Sequence, residues 1–185
     1  MNRLLPTILV YGVAGALVVG ALMVFGMMSW TDGQPPENGV VVGYLTQLVA
    51  LTVVFLGIKH HRDRALGGVI KFLPAFGVGV AISAVASLGW VFSWEIVLAS
   101  GFDYSEAMKQ MTLAQIEQER AKGVAEAVLQ KKIADAQTFL DLYMNNPLVR
   151  MPISFIEMFP AGILVSLISA GLLRNSRFMP ERQAA

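Results

Sequence analysis

The sequence predicts an all-α integral membrane protein: a four-helix transmembrane bundle with a helical extracytoplasmic insert between the third and fourth spans. Hydrophobic residues make up 55% of its 185 residues and charged residues only 15%, whereas soluble domains are about 45–50% apolar and about 25% charged. The apolar residues fall in four long blocks, each about long enough to cross roughly 30 Å of hydrocarbon. Most charged residues lie between those blocks, which is the pattern of a membrane protein.

The first two blocks, residues 4–30 and 40–58, are read as retained spans. The first exceeds the apolar core of a signal peptide, about 7–15 residues, and no convincing cleavage site follows it. A polar turn at residues 31–39 contains two prolines, so the first helix must stop there. The basic run KHHRDR, residues 59–64, is expected to end the second span.

The third and fourth spans cover residues 69–98 and 152–173. The Gly67-Gly68 pair is expected to interrupt the helix before the third span, because glycine strongly disfavours continued regular structure. Residues 174–185 then form a short basic tail that we expect to be disordered, as chain ends often are.

The insert, residues 101–150, is rich in residues that favour helix. Thr112 is predicted to be its N-cap, and Asn145-Asn146-Pro147 is predicted to end the helix. Gly123 is a weak point, so both one helix and two helices remain open. A partial apolar face containing Ile133 and Leu140 must pack on the membrane surface, the span ends, a second copy or a partner protein.

The distribution of basic residues predicts the orientation. Short loops rich in Lys and Arg stay in the cytoplasm, and both termini and the loop between spans two and three carry such residues. The opposite short loop carries Asp32 and Glu37 with no Lys or Arg. Both termini are therefore expected in the cytoplasm, and residues 101–150 are expected in the periplasm or outside the cell. The tryptophans at positions 30, 90 and 94 fall near the predicted outer ends, where aromatic belts form.

Three spans carry small residues at four-residue spacing, which allows close approach between helices. The three series are Gly12, Ala16 and Gly20; Ala75, Gly79, Ser83 and Ser87; and Gly162, Ser166 and Ala170. They favour a tight bundle or a homodimer seam. The second span has no such series, so we expect it to have more contact with lipid.

Two carboxylates inside predicted spans, Glu95 and Glu157, are the main candidate functional groups, since an unpaired charge in hydrocarbon is costly. If close together, they would share a proton or bind a cation. Alternatively each is interfacial and satisfied by water or by a basic residue such as Arg150. A further reading for Glu157 is that it lies in the first turn of the fourth helix, where the positive end of the helix dipole stabilises its negative charge. Lys71 is expected to extend its ammonium to the cytoplasmic surface.

Other classes of chemistry have no support in the sequence. The chain has no cysteine, which excludes disulfides and thiolate metal sites. No nucleotide-binding, zinc-protease or nucleophile-elbow motif is present, and no basic stripe indicates nucleic-acid binding. We therefore predict no catalytic residues, cofactor or metal, and a protein that is not an enzyme.

Several runs resemble a known family. GIKHHRDRALGG at residues 57–68, WEI at residues 94–96 and FIEMFPAGILVSLISA at residues 155–170 are similar to bacterial membrane proteins of the domain-of-unknown-function family 4199. The resemblance covers nearly the whole chain and implies about four spans in a bacterial inner (plasma) membrane, but it implies no activity. The residues that it places in matching motifs are Lys59, Arg62, Asp63, Gly67, Gly68, Glu95, Glu157, Pro160 and Gly162.

Two functions remain open from the sequence. The first is a non-enzymatic accessory or assembly subunit, whose partners are the lipid bilayer and either a second copy of the chain or another membrane protein. The second is a small oligomeric transporter or channel that moves a proton or cation by means of Glu95 and Glu157. An enzyme acting on lipid-linked substrates has the least support.

Overall fold

Six α-helices make up the part of the chain that the structure, a computed structural model, describes: residues 4–28 and 39–180. In chain order they are α1 (Leu4–Met28), α2 (Gly39–Leu66), α3 (Phe72–Ala99), α4 (Tyr104–Ala121), α5 (Glu126–Asn145) and α6 (Pro147–Leu173). Four of them, α1, α2, α3 and α6, are long and apolar enough to cross a membrane. The predicted fold class is confirmed. Trp30 and the acidic loop lie outside the described residues.

Several predicted helix ends differ from the structure. The KHHRDR run does not end α2, which continues to Leu66. The α2–α3 turn then follows at Gly67 and Gly68, whose φ angles are +65° and +86°, a conformation that glycine adopts at no steric cost. The fourth membrane helix begins at Pro147 rather than Pro152, because proline is well suited to the first helical position.

The insert is a hairpin of two helices. Gly123, with φ at +82°, lies in the turn between α4 and α5, so the two-helix alternative applies. The predicted N-cap at Thr112 is wrong: Asp103 caps α4 by accepting a hydrogen bond from the Glu106 amide at 3.0 Å. Thr112 lies inside α4 and donates to the Met108 carbonyl, as helical threonines do when they bond to the preceding turn.

The bundle is organised around α3, which packs on α6, α1 and α2. The small-residue series meet inside one chain. Ser83 donates a hydrogen bond to the Gly162 carbonyl at 3.2 Å, and Gly79 lies directly against Ser166. On the other side of α3, Ala16 of α1 packs on Gly89. These series therefore serve as intramolecular contacts between helices.

We predicted that the second span would have more contact with lipid than the other three, and this ranking was wrong. A smaller share of α1 than of α2 is buried. The reason is that α2 contacts all three other membrane helices, whereas α1 packs mainly on α3 and α2.

Gly89→Ala is expected to reduce the free energy of unfolding by about 1–3 kcal/mol, the usual effect of overpacking a tight contact. A Cβ at this position would lie 2.7 Å from the Cα of Ala16, so the backbones of α1 and α3 would have to separate. Gly77→Ala in the same helix is the matched control, because a Cβ there meets nothing within 4 Å. Denaturant titration in micelles measures both, and equal losses would contradict the prediction.

Candidate functional site

The charged centre of the structure lies where the insert meets the membrane bundle. Arg150 is in the first turn of α6 and Glu95 near the end of α3. The guanidinium donates to both carboxylate oxygens of Glu95, Nε at 2.7 Å and Nη2 at 2.5 Å. This two-bond geometry is the strongest form of an arginine–carboxylate pair.

The same guanidinium also closes the end of α5. Its Nη1 donates to the carbonyls of Met144 at 2.8 Å and Tyr143 at 3.2 Å. The last carbonyls of a helix have no partner within the helix, so these bonds satisfy groups that would otherwise be left without a donor. Arg150 is only 7% exposed. One side chain thus links α3, α5 and α6.

An aromatic network continues this junction. The indole Nε1 of Trp94 donates to the Tyr143 hydroxyl at 2.8 Å, and that hydroxyl lies 3.2 Å from Ser154 Oγ. The Tyr104 ring packs edge-on against Trp94, with a centroid distance of 5.0 Å. Trp94, Tyr143 and Ser154 are buried. Trp94, predicted to lie in an aromatic belt, is therefore part of the packing between the insert and the bundle.

Both tyrosines of this junction remain neutral. Burial raises the pKa of Tyr104 to about 12, and burial is also the main cause that raises the pKa of Tyr143. Their hydroxyls consequently stay protonated throughout the physiological range and act as hydrogen-bonding groups. They provide no nucleophile and no charge at this junction.

Glu157 does not join the Arg150 pair. It is exposed on α6 and interacts with the Trp90 side chain, and it forms no salt bridge with any residue in the ranges 4–28 and 39–180. The first-turn placement was wrong, because α6 begins ten residues earlier, at Pro147. The structure thus gives the two candidate carboxylates different surroundings.

A second charged cluster, at the opposite end of α3, is built on α2. Asp63 accepts hydrogen bonds from Lys59 Nζ at 2.5 Å and from Arg62 Nε at 2.6 Å. Arg62, fully buried, also donates to the carbonyls of Phe178 at 2.9 Å and Met179 at 2.7 Å. The segment after α6 therefore folds back onto α2.

This arrangement corrects the expectation of a disordered tail for residues 174–180. Phe178 packs edge-on against Phe55 of α2, with a centroid distance of 6.4 Å, and its amide donates to the Asn175 carbonyl. Residues 181–185 lie outside the described part of the chain.

The remaining predicted residues have separate positions. Lys71 is the exposed N-cap residue of α3 and lies at the far end of that helix from Glu95. Pro160 lies within α6, and Gly162 contacts Ser83 of α3. We did not predict from the sequence that Tyr104 and Ser154 belong to the junction of hairpin and bundle. We also did not predict that Arg62 donates hydrogen bonds to the segment after α6. No local pattern marks these roles, since each depends on residues distant in sequence.

The two clusters are suited to holding structure together. In each, the basic groups are paired with a carboxylate or with helix-end carbonyls, so neither contributes an unpaired charge for catalysis. No group of three His, Asp or Glu side chains that could hold a metal ion occurs among residues 4–28 and 39–180. Glu157 is the exception, a carboxylate on a membrane helix without a basic partner in those ranges.

Comparison with known proteins agrees with the resemblance of the motifs. The model of the family described as "Protein of unknown function (DUF4199)" matches residues 10–175. No curated protein and no solved structure matches the chain. The matched region includes all of α2 to α6 and most of α1. The chain therefore belongs to the DUF4199 family.

Proposed function

We propose that the protein is a non-enzymatic accessory or assembly subunit of a bacterial plasma membrane, which presents the α4–α5 hairpin to another membrane protein outside the cytoplasm. The observation that carries the proposal is the attachment of the hairpin. Its base is fixed to the bundle by the bonds of Arg150 to Glu95, Tyr143 and Met144. A hairpin whose base is already fixed loses less conformational entropy when a partner binds it.

The outward surface of the hairpin supports a role in protein contact. On α5, Leu129 and Leu140 are buried and lie on the same side of the helix. The opposite side of the helix is exposed and mixes apolar with charged residues; we call it the outer face of α5, and it consists of Val128, Lys131, Asp135, Thr138 and Leu142. Interfaces of non-obligate complexes have such a mixed composition.

The proposed orientation follows from the charge distribution. The basic cluster on α2 and the segment after α6 lie together, and the hairpin extends from the other end of α3. The positive-inside rule assigns the basic end to the cytoplasm. Reporter fusions at Ala125 and at Arg62 should consequently report opposite sides of the membrane.

A photo-crosslinking residue at Leu142 in the intact membrane tests the proposed role. We expect a discrete adduct with another protein, because Leu142 is 50% exposed on the outer face of α5. A matched control at Leu172, an exposed residue of the membrane bundle, should give no such adduct. A chain that forms no adduct from Leu142 and runs alone as a monomer after mild solubilisation would refute the proposal.

The alternative, a small oligomeric transporter for a proton or cation, is supported by Glu157. An exposed carboxylate on a membrane helix is expensive unless a partner or water compensates it, and an oligomer would supply either. Glu95 supports it less, since both of its oxygens accept from Arg150. Ion flux into liposomes that is the same for the unaltered chain and for Glu157→Gln would remove the motive for this function.

A further inference from the structure

The two helices α3 and α6 run antiparallel in a constant register. Ser83 of α3 lies against Gly162 of α6, and Gly79, one turn earlier on α3, lies against Ser166, one turn later on α6. Each step of four residues back along α3 is therefore matched by a step of four residues forward along α6. This register determines which residues meet at the end of the bundle where α3 begins and α6 ends.

Two cations follow at that end. The next pair in the register is Ala75 and Ala170, which are fully buried in one hydrophobic cluster. The pair after it is Lys71, the N-cap residue of α3, and Arg174, the C-cap residue of α6. Both of these residues are exposed. The contact between α3 and α6 thus ends in two neighbouring positive charges, which we call the basic pair.

No carboxylate compensates the basic pair. Residues 59–71 and 174–180, which lie at this end of the bundle, contain six Lys and Arg residues and one acidic residue, Asp63. Asp63 already accepts hydrogen bonds from two basic residues of α2. The side chains of the basic pair form no hydrogen bond or salt bridge with any residue that the structure describes. Two uncompensated cations at one place attract an anion from outside the chain.

The basic pair lies where lipid headgroups begin. Both α3 and α6 are long and apolar enough to cross a membrane. The apolar residues just inside the pair, Leu73 and Leu172, are 74% and 43% exposed, so they face the surroundings of the bundle. Lys71 and Arg174 are each two residues further out, about 3 Å along a helix axis. Basic side chains at the ends of membrane helices extend to the interface, which is the level of phospholipid phosphates.

We propose that Lys71 and Arg174 together bind the phosphate of an anionic phospholipid, whose acyl chains lie on the exposed apolar surface of α3 and α6 beside them. Arginine offers several N–H donors in a geometry that matches phosphate oxygens, and lysine adds a compact positive charge. Basic sites between the ends of membrane helices bind anionic lipid headgroups in this way. The site goes beyond the accessory role, and it depends neither on that role nor on the orientation of the chain.

Native mass spectrometry of the full chain, released from detergent micelles, measures lipid binding. Phosphatidylglycerol and phosphatidylcholine with identical acyl chains are compared, so that only the headgroup differs. We expect tighter binding of phosphatidylglycerol. Lys71→Gln and Arg174→Gln should each weaken that binding about fivefold, and the double variant about 25-fold, since one basic residue near a membrane surface contributes about 1 kcal/mol. Lys71→Arg keeps the charge and should bind as the unaltered chain does.

A double variant with the same change in net charge is the matched control. Lys109→Gln combined with Lys131→Gln removes two exposed lysines of the hairpin, at the other end of α3, and should leave phosphatidylglycerol binding unchanged. All four substituted residues are exposed, so these variants should fold as the unaltered chain does.

Three results would each overturn the proposal. The first is equal binding of phosphatidylglycerol and phosphatidylcholine to the unaltered chain. The second is a loss of phosphatidylglycerol binding in the hairpin control as large as in the double variant of the basic pair. The third is displacement of the lipid by an equal concentration of glycerol 3-phosphate, because that result would indicate a site for a free phosphate and not for a lipid.

Discussion

Arg62→Leu is expected to lower the free energy of unfolding by about 3–5 kcal/mol, as breaking a buried ionic network does. Arg62 is 0% exposed, and its guanidinium bonds Asp63 and the carbonyls of Phe178 and Met179. Leucine would leave those two carbonyls without their donor and would leave Asp63 with Lys59 alone. Denaturant titration of the purified chain in micelles provides the measurement.

A labelling experiment separates release of the tail from a general loss of stability. The chain has no cysteine, so Met179→Cys introduces a single thiol. In the Arg62→Leu background that thiol should react with a maleimide faster than in the Met179→Cys chain. Arg177→Leu, which removes an exposed arginine of the same segment, is the control and should change neither property. Unchanged unfolding and unchanged labelling in Arg62→Leu would show that the contacts of Arg62 do not hold the tail.

Arg150→Met should reduce the free energy of unfolding by about 3 kcal/mol, the lower end of the range for a broken buried pair. The lower end applies because the Glu95 side chain is 22% exposed and keeps some access to water. The change would leave Glu95 without a counter-charge and the carbonyl of Met144 without a donor. We also expect the hairpin to separate from the bundle before the bundle unfolds, which faster proteolysis near Gly123 would reveal.

The partner variant and a double variant test the origin of this effect. Glu95→Gln should reduce stability less than Arg150→Met, because the arginine keeps its bonds to Tyr143 and Met144. Combining Glu95→Gln with Arg150→Met should restore part of the loss, since no uncompensated charge remains. Losses that simply add in the double variant would contradict a direct pair.

The two arginine clusters stabilise different parts of the molecule. Arg150 holds the hairpin to one end of the bundle, and Arg62 holds the segment after α6 to the other end. Arg150 donates to carbonyls at the end of α5, and Arg62 donates to carbonyls of the segment after α6, so each buried guanidinium satisfies backbone groups while a carboxylate compensates its charge. Together the two arginines hold the hairpin and the segment after α6 in fixed positions on the bundle.

Much of the fold was predictable from local patterns. The four membrane helices follow from long apolar blocks, because hydrocarbon cannot hydrogen-bond an open backbone and only helices satisfy it within one segment. The small-residue series predicted close packing, and Ser83 and Gly162 show it. Helix ends were predicted less well. The charged end of α2 stays helical to Leu66, since Arg62 and Asp63 are satisfied by contacts that hydropathy does not measure.

The rule that charges in spans need partners identified the candidate residues. It did not identify the residues with which they would pair. Glu95 and Glu157 looked equivalent in sequence. In the structure one is bound by Arg150, 55 positions away, and the other remains exposed. The sequence by itself determined the spans and the residues that needed partners, because those follow from backbone hydrogen bonding and residue chemistry. Only the tertiary structure decided which partners they found, because contacts between distant residues depend on how all the helices pack at once.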